Sequence, residues 1–282
     1  MSKVLLKKIP NYGEYDSIKE FVREAVEIFE PELPEEFMIK PNFLKFSQPE
    51  EGCITHPLVV KAAVEVLKDH GKPVVAEGGF GRDDADRVFD AFGMRNWAEC
   101  INLNECEFLK VDVGGKALKS ADVSKPAYEM AARKPFITLP KLKVHHLVKA
   151  TLGIKNNMGF LKKPAISMHP KINTKLVDLL GIFRPTLTII DGIIGGESSE
   201  SNTKPVEHGV MIASDDVVAC DAVGAYLMGL DPMEIGYLRQ AFERGFGEAR
   251  IEEIDVVGER LGSLRKEYGF STFSKVLGFL RI

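Results

Sequence analysis

Short apolar runs alternate along the chain with stretches of helical period, and their order predicts an α/β protein. Val4 to Ile9 reads as a strand, and Asp16 to Glu30 as a helix capped by Asp16 with Ile18, Val22, Ala25, Val26 and Phe29 on one face. Pro31 and Pro34 stop that helix. Phe37 to Ile39 forms a second strand running into Lys40-Pro41-Asn42, and Phe43 to Ile54 is a loop. Thr55 is the expected N-cap of a helix opened by His56 and Pro57 and carried to Gly71. Pro73 to Ala76 is the next strand, closing on Glu77-Gly78-Gly79-Phe80-Gly81, with a further helix expected from Asp83. Strand, helix, strand in this order is the signature of a parallel sheet with helices on its faces.

The pattern continues less regularly. Trp97 to Ser120 reads as short strands with a turn at Gly114-Gly115, and Pro126 to Arg133 as one or two helical turns. Phe136 to Leu139 looks like a buried strand that delivers Pro140 and a lysine-histidine segment at its carboxyl end. Ile172 to Phe183 is a helix and Leu187 to Ile190 a strand ended by Asp191-Gly192. Ile193 to Glu207, containing GGESSES, reads as a loop and as a candidate lid. Val210 to Ala213 is a strand, and Ser214 caps a helix carrying Asp215, Asp216 and Asp221 to Leu230. Asp231-Pro232 opens a helix that ends near Gly245, and Ile254 to Val257 is a late strand. Phe273, Val276, Leu277 and Leu280 form an amphipathic tail. The expected fold is α/β, a mixed and mostly parallel sheet flanked by helices. It leaves room for two lobes, about 1–125 and 126–260, followed by the tail 261–282.

Charge sharpens this picture in one place. From Met130 through Val177 there is no Asp or Glu, whereas 10 of the chain's 37 Lys and Arg fall there together with His145, His146 and His169. The whole chain is net −4, so the remainder carries −14 against +10 in this window. A cationic patch in an acidic protein concentrates anions and lowers the pKa of a lysine held among the others. If the strand geometry continues to His146, Lys141, Lys143 and His145 share one face and Leu142 and Val144 the other. If a helix starts near His146 instead, Lys149 and Asn156 lie on one stripe and Thr151 and Lys155 on the next. The carboxyl ends of parallel strands are where ligands sit in open α/β sheets.

Other signals limit the partners. A pI near 6.0, with Phe136 and Phe160 the only aromatics near the lysines, makes nucleic acid an unlikely partner. No apolar run reaches the length of a membrane span, and the N-terminus has no export signal, so the cytoplasm is the expected location. Cys53, Cys100, Cys106 and Cys220 have none of the spacing of a zinc or iron-sulfur site, and no residue is assigned as a metal ligand. His169 and His208 with His56 or His145 are one metal alternative, and the carboxylates Glu77, Asp191, Asp215 and Asp221 could bind a hard cation or accept a proton. EGGFGRDD lacks the spacing of a dinucleotide fingerprint or P-loop.

Several of these motifs occur together: KPN at Lys40 to Asn42, THP at Thr55 to Pro57, LPKLKVHH with TLGIKNNMG, LTIIDG at Leu187 to Gly192, ASDDVVACDAVG at Ala213 to Gly224 and VVGE at Val256 to Glu259. In this the chain resembles the family called domain of unknown function 362, from about Met38 to Glu259. Members often carry ferredoxin-type cluster motifs, which this chain lacks; the resemblance implies a fold and a site but no settled reaction. Lys141, Lys143, His145, Lys149, Lys155 and Asn156 match the family's central motif.

The candidate catalytic residues are therefore Lys143, His145 and Lys155, with Lys40, Asn42, His56, Lys141, Lys149, Asn156, Asp191 and Asp215 as substrate or cofactor ligands. A desolvated lysine is a base or Schiff-base former, and lysine with histidine can hold a carboxylate or phosphate while a proton moves. Because an extended backbone aims neighbouring side chains apart, one of His145 and His146 is expected to be structural. The expected function is an enzyme acting on a small anionic organic molecule by acid-base or cofactor-assisted redox chemistry, an isomerase or an oxidoreductase. The cofactor is left unassigned, with a metal or iron-sulfur partner as one option and a homo-oligomer or a ferredoxin-type protein as candidate partners. The alternative is a non-catalytic redox accessory that uses the patch for docking. The layout is also similar to that of the nickel-pincer lactate racemase family, which implies racemisation or hydride transfer on a 2-hydroxy acid.

Overall fold

The computed structural model describes residues 1–271. The amphipathic tail at Phe273 to Leu280 lies outside the described residues. In chain order the regular elements are β1 (Ser2–Lys8), α1 (Tyr15–Phe29), β2 (Glu36–Pro41), α2 (Pro57–Leu67), β3 (Lys72–Glu77), α3 (Asp84–Ala91), β4 (Glu99–Asn102), β5 (Phe108–Asp112) and β6 (Ser120–Ser124). They continue with α4 (Lys125–Ala131), β7 (Ile137–Leu139), β8 (Lys141–His145), β9 (Lys149–Thr151), α5 (Gly153–Asn156), α6 (Ile172–Leu180), β10 (Leu187–Glu197), β11 (Lys204–Ser214), α7 (Val217–Leu227), α8 (Gly236–Glu243) and β12 (Ile254–Gly258).

One sheet runs through the molecule in the order β12-β1-β11-β10-β7-β2-β3-β4, with β8 joined to β10 and β9 joined to β8. Along that path only β11 runs against its neighbours; the other contacts are parallel. β5 and β6 form a separate antiparallel pair. The sheet draws strands from both halves of the chain, and β1 and β12 lie side by side.

Apolar residues cover both faces, as a sheet with helices on each side requires. Alternation along a strand sends Leu5, Ile189 and Met211 to one core, where α1 and α2 pack through Phe21, Val22, Val60 and Ala63. Val4, Ile190 and Ile212 go to the other, which α6, α7 and α8 close with Leu176, Val223 and Leu238. The chain leaves β2 through α2 on one face and β7 through α5 and α6 on the other. β2 and β7 are neighbours, so the strand order reverses between them, and a crevice opens outside their carboxyl ends.

Some expectations shift at this level. The α1 helix starts at Tyr15 with Glu14 at the N-cap position, so Asp16 lies in its first turn rather than capping it. The N-cap of α2 is His56, whose Nδ1 accepts from the Leu58 amide at 3.1 Å. Thr55 instead ties β2 to β7, donating to the Leu139 carbonyl at 2.6 Å and accepting from the Asn42 amide at 3.0 Å. Asp216, not Ser214, caps α7, accepting from Val218 and Ala219. Asp191-Gly192 does not end β10. The strand passes through them and pairs with β11 as far as Glu197 and Lys204, so most of the stretch read as a loop is a hairpin. His208 lies within β11, held between the Tyr268 hydroxyl at 2.9 Å and the Leu264 carbonyl at 2.8 Å. After His145 the chain turns back into β9 rather than entering a helix.

Candidate functional site

β8 presents its side chains with period two, so Leu142 and Val144 enter the core while Lys141, Lys143 and His145 share the other face. Depth then separates the three. Lys141, opposite Asp191 in the ladder, pairs with that carboxylate at 2.9 Å, and neither side chain is exposed. Tyr12 completes the cluster, donating to Asp191 Oδ1 at 2.8 Å and accepting from Lys141 Nζ at 2.8 Å. The His56 amide donates to Asp191 Oδ2 at 2.8 Å, and its ring stacks on Tyr12 at 3.7 Å between centroids. Burial lowers the pKa of Lys141 against the pull of Asp191, and holds the His56 imidazole down at about 4. This closed network fixes the start of β8 to β10 and to the start of α2.

Lys40, at the carboxyl end of β2, is arranged similarly. Its ammonium bonds Glu77 Oε2 at 2.7 Å, the Asn156 side-chain oxygen at 3.2 Å and the Pro41 carbonyl at 3.2 Å. Glu77 also accepts from the amides of Phe43 and Gly78. Gly159 lies so close that a Cβ there would meet Glu77 Oε1 and Lys40 Nζ, which explains a glycine at that position of TLGIKNNMG.

Above these pairs lies a cavity of about 320 Å³, within the size range of small-molecule sites. Of the candidates, Lys143, His145, Lys155, Asn42 and Asn156 line it. Lys40, Lys141, His56 and Asp191 lie behind its wall. Lys149 is elsewhere, exposed and paired with Glu234 at 3.1 Å. Asp215 is also distant. β11 is antiparallel, so the residue after it emerges at the opposite end of the sheet, exposed beside Met1 and Arg184.

Among the described residues the cavity's lysines, Lys45, Lys143, Lys155 and Lys163, form no ion pair with a carboxylate. Lys143 is fully buried and donates only to the carbonyls of Cys53 at 2.8 Å and Glu200 at 3.2 Å. Lys163 donates to the Met158 carbonyl at 2.6 Å. Lys155 is half-buried, and among the described residues its amine has neither an ion pair nor a hydrogen bond. Burial first, then repulsion from Lys143 and Lys163, brings the Lys155 pKa down to about 7. Burial likewise brings Lys163 down to about 8 and lowers Lys143. Lys155 is placed by α5, whose first amides, Gly153 and Ile154, donate to buried Asp221 at 2.7 and 2.9 Å. Burial raises the Asp221 carboxyl to about 8 against these two donors.

His145 and His146 both reach the cavity, because the chain turns after β8 and stacks the rings at 4.9 Å and 11°. His145 Nδ1 accepts from the Leu147 amide at 3.1 Å, which leaves the ring proton on Nε2. His146 Nδ1 bonds Glu200 at 2.6 Å. Burial pushes the Glu200 carboxyl up, but hydrogen bonds from His146 outweigh it and hold the group below its usual range. His145, His146 and Glu200 bring ligand atoms within 4.8 Å of one another, a candidate cation site. Two of those three donors are already engaged with each other, and a neutral His145 bound through Nε2 would have to give up the bond from Leu147. Four lysines, Lys45, Lys143, Lys155 and Lys163, line the same cavity together with the carboxylates of Glu77 and Glu200.

Glu200, Lys163 and Thr151 were not singled out by motif. Thr151 faces Lys143 across the β8–β9 ladder, and its hydroxyl is buried in the cavity wall without a partner. Lys163 belongs to the acid-free window, which is the signal that could have found it.

The model of the family described as Domain of unknown function (DUF362) matches residues 38–226. The chain belongs to the DUF362 family. The match contains β2 from Met38 onward, the whole lysine-histidine segment and most of α7, and so includes most of the elements that build the cavity. A relative, thylakoid-associated protein sll1697 of Synechocystis sp., is 30% identical over 215 residues, 70% of this chain. The matched region spans 64% of that protein's length. Among solved structures, loganic acid methyltransferase with SAH aligns over 94% of this chain and 69% of its own, at 11% identity and a TM-score of 0.28. Among the described residues no helix is long and apolar enough to cross a membrane.

Proposed function

We propose that the cavity binds a small organic anion, a carboxylate or a phosphate, and that Lys155 moves a proton to or from it. One contrast carries the reading. Lys40 and Lys141 each have a buried carboxylate, whereas Lys143, Lys155 and Lys163 line one cavity and, among the described residues, none of them is in an ion pair. Like charges about 6 Å apart repel by roughly 3 kcal/mol at an effective dielectric of 20, and an anion between them reverses the sign. Thr151 Oγ1 and His145 Nε2–H offer neutral donors to the same guest. An amine titrating near neutrality exchanges protons readily at physiological pH, which suits an isomerase or the proton-transfer half of an oxidoreductase. Convergence on a cavity rather than a convex face weighs for a small molecule over docking of an iron-sulfur partner. His56 is stacked on Tyr12 behind the wall, so its placement lends no support to the racemase analogy. We place this activity in the cytoplasm; recovery of the chain in the membrane fraction of disrupted cells would correct that.

The test is calorimetric titration with inorganic phosphate and with small mono- and dicarboxylates. Lys155→Met and Lys143→Met should each weaken binding about 10- to 100-fold, the usual worth of a charge-assisted bond. Lys149→Met should leave it unaltered. Equal affinities for all four proteins would remove the basis for the reading.

A further inference from the structure

The mouth of the cavity has a different chemistry from its floor. Among the described residues the exposed large hydrophobics are Met1, Phe80, Tyr128 and Ile166, and Phe80 and Ile166, 69% and 64% exposed, both stand at this opening. Phe80 projects from the turn after β3, anchored by its amide to the Leu44 carbonyl at 2.6 Å, and Ile166 from the segment before α6. Leu44, Met158 and Pro164 continue the apolar surface inward until it meets Lys143, Lys155 and Lys163. A guest that was only a small ion would leave this lip in water. Aromatic and aliphatic surface held exposed beside a binding cavity is more often part of the recognition surface.

Resting on the anion reading above, we infer that the ligand is an amphiphile, with an anionic head among the lysines and an apolar chain or ring laid across Phe80, Leu44 and Ile166. The cavity accommodates the head and the first few carbons, and the lip carries the next few. The ligand enters as a free molecule from water rather than as part of a bilayer, because the head must reach Lys143, which is fully buried, while Lys45, Lys155 and Lys163 along the same cavity are half-buried. An anionic membrane surface is met by exposed basic residues, whereas Lys143 is fully buried.

Alkyl phosphates and carboxylates of two to ten carbons, kept below their micellar concentrations, provide the test by calorimetry or by competition with a fluorescent alkyl phosphate. Affinity should rise about three- to fourfold per methylene over the first several carbons and then level off. Phe80→Ser with Ile166→Ser should reduce the ratio of octyl to ethyl affinity at least tenfold, with circular dichroism confirming that the variant folds. Lys155→Met should weaken every member of the series by a similar factor. If phosphate and ethyl phosphate bind but affinity is flat with chain length, the amphiphile proposal fails while the anion reading stands. If no member binds, both fail. Binding to phosphatidate vesicles without binding to monomeric alkyl phosphates would overturn the proposal in favour of a membrane-contacting lip.

Discussion

Replacing Lys155 by Met keeps the length and apolar stem of the side chain and deletes the ammonium, so it isolates the cost of charging this amine. Its pKa is about 7 in the folded protein against about 10.4 in an unfolded chain. The folded value is the lower one, so between these pH values the unfolded chain holds the extra proton, and stability rises with pH through the window. Relative to Met, the lysine destabilises the native state by about 4 kcal/mol at pH 7 and about 2 kcal/mol at pH 9, with little further change below pH 7. Because the side chain is only half-buried, solvent screening brings the expected difference between pH 7 and pH 9 to about 1–2 kcal/mol. Urea unfolding of both proteins at pH 6, 7, 8 and 9 should show Lys155→Met more stable throughout, with its advantage shrinking as pH rises above 7. Saturating phosphate should reduce the advantage at pH 7 by stabilising the ammonium of the wild type. A stability difference independent of pH, or a Met variant less stable at pH 7, would refute the reasoning that this amine sits uncompensated.

Lys141→Met leaves Asp191 buried without its counter-ion and should cost about 3–5 kcal/mol, seen as a lower melting temperature. Asp221→Ala removes the acceptor of two buried amides at the start of α5; it should cost about 2–4 kcal/mol and, by displacing Lys155, weaken phosphate binding in the same preparation. Lys149→Ala breaks only an exposed pair with Glu234 and should change stability by less than about 1 kcal/mol in thermal melts.

The parts of the site that depend on local geometry could be read from sequence. Alternation along KLKVH needs only an extended backbone, so the shared face of Lys141, Lys143 and His145 followed from the residues alone. The start of the family match at residue 38 likewise agrees with the motifs. What separates one lysine from the next is long-range. Glu77, Asp191, Glu200 and Asp221 arrive from distant parts of the chain, and local spacing does not reveal that the first three pair with Lys40, Lys141 and His146 while Asp221 accepts from the amides of α5. Strand direction is equally hidden: Asp215 follows a strand, as Asn42 does, but β11 is antiparallel and carries it to the other end of the sheet. The small polar residues of GGESSES imitate a loop because Gly195 and Gly196 are read as flexible. In the fold a Cβ at these positions would meet Tyr268 and Gly52, so the glycines serve close packing within a strand. Both histidines reach the cavity because a turn after His145 cancels the alternation that would aim the rings apart.

The central claim is that, among the described residues, one lysine amine in this cavity has no partner until an anion arrives. Isotope-edited NMR of the ¹³C-dimethylated protein, with the Lys155 resonance assigned by its loss in Lys155→Met, reads that amine's titration directly with and without phosphate. The account predicts a midpoint near 7 in the free protein that moves upward when phosphate binds. A midpoint at the ordinary lysine value that phosphate leaves in place would contradict it.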